Sequence, residues 1–190
     1  MPLNTETITA IALGISLSAS AGFRVFVPML ALSIAGYFHW VQLPADMHWL
    51  VSIPSIACFS VATILEIAAY YIPFIDNLLD SISTPLAVIA GTILAYALFP
   101  GGSNTTLIKW VLSLLSGGTA AGTIQVGTGI LRLFSSKTTA GTGNAVLATG
   151  ENAAAISSAA LSFVIPLIVA SILIVIILWV LVKIISRGFK

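Results

Sequence analysis

Uncharged apolar runs near the length needed to cross hydrocarbon, about 20 residues, recur from one end of this chain to the other. That recurrence limits the fold more than any motif does. A soluble domain carries roughly 25% charged residues, whereas this chain carries 7%, against 58% hydrophobic. So few charges cannot clothe 190 residues in a polar surface. An all-α integral membrane protein, in contact with the lipid bilayer, is the expected class.

Six hydrophobic segments can be drawn, over residues 5–37, 48–72, 85–99, 104–134, 144–162 and 163–185. Turn-forming stretches such as "QLPAD", "FPGGSN" and "SSKTTAGTGN" separate most of them. The last two could equally be one helix kinked at Pro166. Lys183, Arg187 and Lys190 close the chain and predict a cytoplasmic C-terminus. Six crossings would place the N-terminus and Lys137 on that same side, with Lys109 the exception. Residues 8–21 end in Ala19-Ser20-Ala21, a small-residue pattern like a cleavage site, but Glu6 precedes them and no Lys or Arg does. Retention is therefore expected.

The first and fourth segments are too long for a straight crossing of about 30 Å. Each has a soft middle, "SLSASAG" at 16–22 and "SGGTAAG" at 116–122. Offset by one hundred residues, Ser16, Ala21 and Gly22 match Ser116, Ala121 and Gly122. Two broken or re-entrant segments are expected, and with them two inverted three-segment repeats, 1–100 and 101–190, whose breaks meet near the midplane. The competing reading is close packing through small-xxx-small faces such as Gly14, Ser18 and Gly22, which would also favour a homodimer.

Candidate site residues follow from the cost of charge in hydrocarbon. Arg24, just after "SASAG", must face a partner, a wet cavity or an anion, unless it snorkels to an interface. With Gly22 it could sit at a half-helix N-terminus that attracts negative charge. Glu66 is its expected partner, or else a carboxyl that takes up a proton when buried alone. Glu151 is its counterpart in the second half. Gln125 and Arg132 are polar positions expected to face the bundle interior, and Gly122 marks the second break. Asp76 and Asp80 share a helix face four residues apart, a weak Mg²⁺ pair whose plainer reading is a solvated surface turn. Asn144 ends the glycine-rich "TTAGTGN", which reads as a flexible connection. His39 and His48 beside Trp40 and Trp49 read as an interfacial belt, not zinc ligands.

The blocks "SASAGFRVFVPMLALS", "ILEIAAYYIPFIDNLLDSI" and "TTAGTGNAVLATGEN" together resemble a bacterial integral-membrane family catalogued as domain of unknown function 4126. Members often carry proline after the asparagine of the third block, where this chain has Ala145. The resemblance implies no activity. It implies a bacterial inner-membrane location and adds weight to Arg24, Glu66, Asp76, Asp80, Asn144 and Glu151.

The function expected from these residues is a small transporter or channel for an anion or polar solute. Arg24 and the helix ends would bind, and Glu66 or Glu151 would gate or carry protons. A non-catalytic membrane scaffold is the second reading. A Mg²⁺-dependent lipid-phosphate enzyme built on Asp76 and Asp80 is the third, weakened by the scarcity of basic residues. Neither a nucleic-acid partner nor a cofactor is expected, since a net charge of +1 lacks the necessary basic footprint.

Overall fold

A computed structural model describes residues 4–100 and 106–188. Lys190, the 101–105 stretch that begins the fourth segment, and the side chains of Asp80 and Arg187 lie outside the described residues. The described residues form eight α-helices: α1 (Thr5–Ala21), α2 (Phe26–Tyr37), α3 (Ile53–Ala69), α4 (Pro73–Leu98), α5 (Thr106–Ser113), α6 (Thr119–Thr139), α7 (Asn144–Val164) and α8 (Pro166–Gly188). A 3-10 stretch, Ala45–Val51, precedes α3, and a π-helical turn, Leu114–Gly118, joins α5 to α6. Among the described residues there is no strand.

Proline sets most of the boundaries. The Asn4 side chain caps α1 by accepting from the Thr7 N–H at 2.9 Å. The first segment then breaks over residues 22–25. In an unbroken helix the Pro28 ring would crowd the Arg24 carbonyl and offer it no N–H, which favours a break there. One hundred residues later stands Thr128, which has its N–H, and α6 runs straight past it. The expected second break is therefore absent. The soft middle of the fourth segment becomes a π-turn inside a continuous helical run over Thr106–Thr139.

Pro73 opens α4, which then passes through Pro85 for 26 residues. The third segment thus begins twelve residues earlier than its apolar run suggests, and Asp76 sits in a helix turn and not in a loop. The Ser52 side chain caps α3 by accepting from the Ser55 N–H at 3.3 Å, and the 3-10 stretch meets α3 at a bend of 56°. The last two segments are separate helices, parted at Ile165 just before Pro166.

Side-by-side contacts give each helix a direction. Gly14 lies against Leu98 and Phe99, and the Ser18 hydroxyl donates to the Gly91 carbonyl, so α1 starts beside the C-terminal end of α4 and runs toward its N-terminal end. α2 runs back. Its first residues meet Glu66, late in α3, while Gly36 lies against Val51, just before α3 begins. The Tyr96–Asp46 hydrogen bond places that start of α3 level with the C-terminal end of α4. α1 and α2 are thus two arms of a helical hairpin with its tip at residues 22–25. Ser20 bonds the Ala155 carbonyl and Gly127 lies against Val180, so α7 runs opposite to α1, and α8 runs with α6. The start of α1 and the end of α8 therefore lie at opposite ends of the bundle.

Among the described residues, three helical stretches are long and apolar enough to cross a membrane: Ser81–Leu98, Thr106–Thr139 and Pro166–Ser186. A fourth is added if the bent pair Ala45–Val51 and Ile53–Ala69 counts as one span. These mark the chain as a membrane protein. α8 shows what a lipid-facing helix looks like, with Val175, Trp179 and Val182 all exposed. α1 is its opposite. It packs on α2, α4, α6, α7 and α8, and its small polar residues Ser16, Ser18 and Ser20 are fully buried. Between helices in hydrocarbon, close packing and interhelical hydrogen bonds of about 0.6 kcal/mol each replace the hydrophobic drive that operates in water. Serine hydroxyls on backbone carbonyls supply such bonds, Ser18 to Gly91 at 2.7 Å and Ser20 to Ala155 at 3.0 Å. The tightest crossing is α4 on the π-turn, where a Cβ on Gly91 would lie 2.5 Å from the Gly117 carbonyl oxygen.

Candidate functional site

The tip of the hairpin carries Arg24 into the bundle, where the residue is only 1% exposed. Its guanidinium is fully engaged. Nε donates to Asn152 Oδ1 at 2.6 Å, and one terminal nitrogen donates to Glu151 Oε2 and to the Phe23 carbonyl, each at 2.7 Å. The other donates to the Ala148 carbonyl at 3.2 Å. All but the Phe23 contact come from one face of α7.

Arg132, 2% exposed on α6, approaches the same carboxylate from the other side. Its Nε donates to Glu151 Oε1 at 3.0 Å, and a terminal nitrogen pairs with Oε2. The remaining terminal nitrogen pairs with Asp76 Oδ1. Glu151 Oε2 is therefore shared by both arginines. Both guanidinium groups also lie against the Tyr70 ring, Arg24 at 3.9 Å and Arg132 at 4.2 Å from its centroid. A cation over an aromatic face is worth up to about 2 kcal/mol when desolvated. The Tyr70 hydroxyl is anchored to Ser83 at 2.7 Å.

Two asparagines extend the network. The Asn144 side-chain amide donates to Asp76 Oδ2 at 3.2 Å and to Ser136 at 3.0 Å. The Asn152 amide donates to the Tyr71 hydroxyl at 3.2 Å, which also bonds exposed Thr149 at 3.0 Å. The cluster thus holds two guanidinium groups and two carboxylates, with formal charges that cancel, and it reaches the surface at Tyr71. It lies toward one end of the bundle, short of the expected midplane. Glu151 is seven residues into α7, about 10 Å at the helical rise.

Glu66 does a different job from the one expected of it. Its two oxygens accept from the backbone N–H groups of Val25 and Phe26, at 2.8 and 3.0 Å. A carboxylate on the first free N–H groups of a helix satisfies donors that have no intrahelical partner and complements the helix dipole. The N-terminus of α2 does attract negative charge, and the chain supplies that charge itself. Arg24 pairs with Glu151, not with Glu66.

The other candidates divide. Asn144, Asp76 and Glu151 join the cluster. Asp76 is 2% exposed with both oxygens engaged, so the reading of a solvated surface turn is corrected. No group of three His, Cys, Asp or Glu side chains able to hold a metal occurs among the described residues. Gly22 packs against Ala121 and Ile124 of α6 and serves close approach at the tip. Gly122 packs on Val88 and lines an apolar surface groove of about 340 Å³ that includes no member of the ionic cluster. Gln125 is buried on α6 without a hydrogen bond to the cluster. Sequence reasoning missed the part played by Tyr70, Tyr71 and Asn152, and treated Arg132 as one more interior polar residue. A charge account would have singled out Arg132, since a second buried arginine needs a second carboxylate, and Asp76 is the one it finds.

A helical bundle with several candidate membrane spans and an internal ionic cluster defines a polytopic membrane protein. The chain belongs to the family described as domain of unknown function 4126, whose model matches residues 11–187. No curated protein and no solved structure shows a significant match to it.

Proposed function

We propose that this chain is a small membrane transporter or channel for an anion or polar solute, and that the Arg24–Glu151–Arg132–Asp76 cluster is its binding site. The carrying observation is that two buried guanidinium groups share one carboxylate oxygen at the tip of a helical hairpin. Ionisable groups inside a membrane protein are costly and commonly mark a substrate or ion path. A cluster kept only for stability could be replaced by well-packed apolar residues with little loss. A shared carboxylate can also be exchanged: when Glu151 swings away, both arginines face a solute.

Positive charges at Lys137 and Lys183 support a cytoplasmic C-terminal end, in a bacterial inner membrane. Two inverted halves remain part of the proposal, with the first segment turning back into the membrane as a re-entrant hairpin. Its support is that the first segment, which breaks, and the fourth, which bulges at a π-turn, both send an arginine to Glu151.

The test is charge movement across proteoliposomes on a solid-supported membrane, challenged with chloride, phosphate and acetate. Transient currents are expected with at least one anion, and their loss in Arg132→Lys. No current with any of the three, or currents indifferent to Arg132→Lys, would overturn the proposal. The scaffold reading is favoured by one observation, that protein groups meet every charge of the cluster. On that reading the cluster variants lose stability, a partner co-purifies at fixed stoichiometry, and no flux occurs.

A further inference from the structure

We infer that the two-arginine site selects a small monocarboxylate, with the Glu151 side chain acting as a tethered copy of the ligand. The inference rests on the transport reading and names the class of solute.

The first argument is shape. Arg132 grips Glu151 through Nε and a terminal nitrogen, one N–H group to each carboxylate oxygen, the planar fork that suits a carboxylate. Arg24 adds a third donor to Oε2. Those donors engage both oxygens of a planar anion. The neighbouring groups are acceptors, the Ala148 carbonyl bound to Arg24 and the Asp76 carboxylate bound to Arg132. A tetrahedral oxyanion would bring its remaining oxygens toward them.

Charge points the same way. With Glu151 withdrawn, the two guanidinium groups keep one paired carboxylate, Asp76, while Glu66 is committed to the N–H groups of Val25 and Phe26, so the paired groups are left with one positive charge in excess. A monoanion neutralises it, whereas a phosphate dianion would leave an uncompensated negative charge. Buried uncompensated charge is the costly outcome. Size matters as well. The Tyr70 ring backs both guanidinium groups, so the space released by a withdrawn Glu151 is that of a carboxymethyl arm, suited to formate or acetate.

The experiment is chemical rescue of full-length Glu151→Ala in nanodiscs, read as the thermal unfolding midpoint against formate, acetate, chloride and phosphate. Formate or acetate should raise the midpoint at concentrations at least about tenfold below those at which phosphate acts, a factor equivalent to 1.4 kcal/mol. The rise should vanish in Glu151→Ala/Arg132→Met. Equal or better rescue by phosphate or chloride, or no rescue at all, would overturn the inference. If Glu151→Ala does not fold, ¹⁹F line broadening of trifluoroacetate by the wild-type protein is the second measurement. Broadening that acetate competes away and phosphate does not supports the inference, and its absence overturns it. Carboxylate binding without flux would sink the transport reading alone. Flux of another anion without carboxylate binding would sink this inference alone.

Discussion

Replacing Glu151 with glutamine keeps the volume of the side chain and removes its charge. One carboxylate now meets three guanidinium N–H groups, so the change leaves one positive charge uncompensated among residues that are 1–2% exposed. Removing one partner of a buried ion pair costs about 3–5 kcal/mol. Arg132→Met should cost a similar amount for the opposite reason, stranding Asp76 and Glu151 with Arg24 alone. The double variant restores neutrality, because Arg24 and Asp76 remain. Its cost should therefore fall short of the sum of the singles by about 2–3 kcal/mol, the upper part of the range for residues in contact. The assay is reversible unfolding in mixed micelles, with SDS as denaturant, for the four members of the cycle. A double variant whose cost equals the sum to within about 0.5 kcal/mol would show that the two side chains do not share a charge account, and would refute the reasoning.

Three other outcomes are expected. Gly117→Ala should cost about 1–3 kcal/mol in the same unfolding assay, because its Cβ would meet Ala95 Cβ at 2.5 Å and the Gly91 carbonyl; Gly129→Ala, with open space around it, should be neutral or better, and equal behaviour of the two would refute the tight crossing. Glu66→Ala should remove the cap on α2 at a cost of about 0.5–2 kcal/mol and speed hydrogen exchange at the Val25 and Phe26 amides, whereas unchanged exchange there would contradict the capping role. Reporter tags added before α1 and after α8 should report opposite compartments, and a shared compartment would exclude the hairpin.

Much of the local architecture was legible in the residues, though not always in those that drew attention. The break near Arg24 was placed correctly but ascribed to the small residues before it. Pro28 favours the break as well, and position 128, past which α6 continues, has no proline. The same oversight shortened the third segment, since Pro85 was read as a start although Pro73 had already supplied one. Asp76 then looked like a loop residue and its tie to Arg132 went unseen.

What the sequence by itself determined is the membrane class, because 7% charge leaves no alternative surface, and the need for a partner at every interior charge, because hydrocarbon penalises each one left alone. Proline and cap positions, properly read, also determine where helices begin and end. Those are local or compositional matters. Only the tertiary structure decided which carboxylate meets which arginine. Arg24 finds Glu151 across 127 residues and leaves Glu66, 42 residues on, to cap α2. Only it showed that α2 turns back along α3. The physical reason is that helices apolar on most faces carry no amphipathic stripe to orient them. Direction and partner choice depend on how whole helices lie against one another, through contacts such as Gly91 on Gly117 that no single segment specifies.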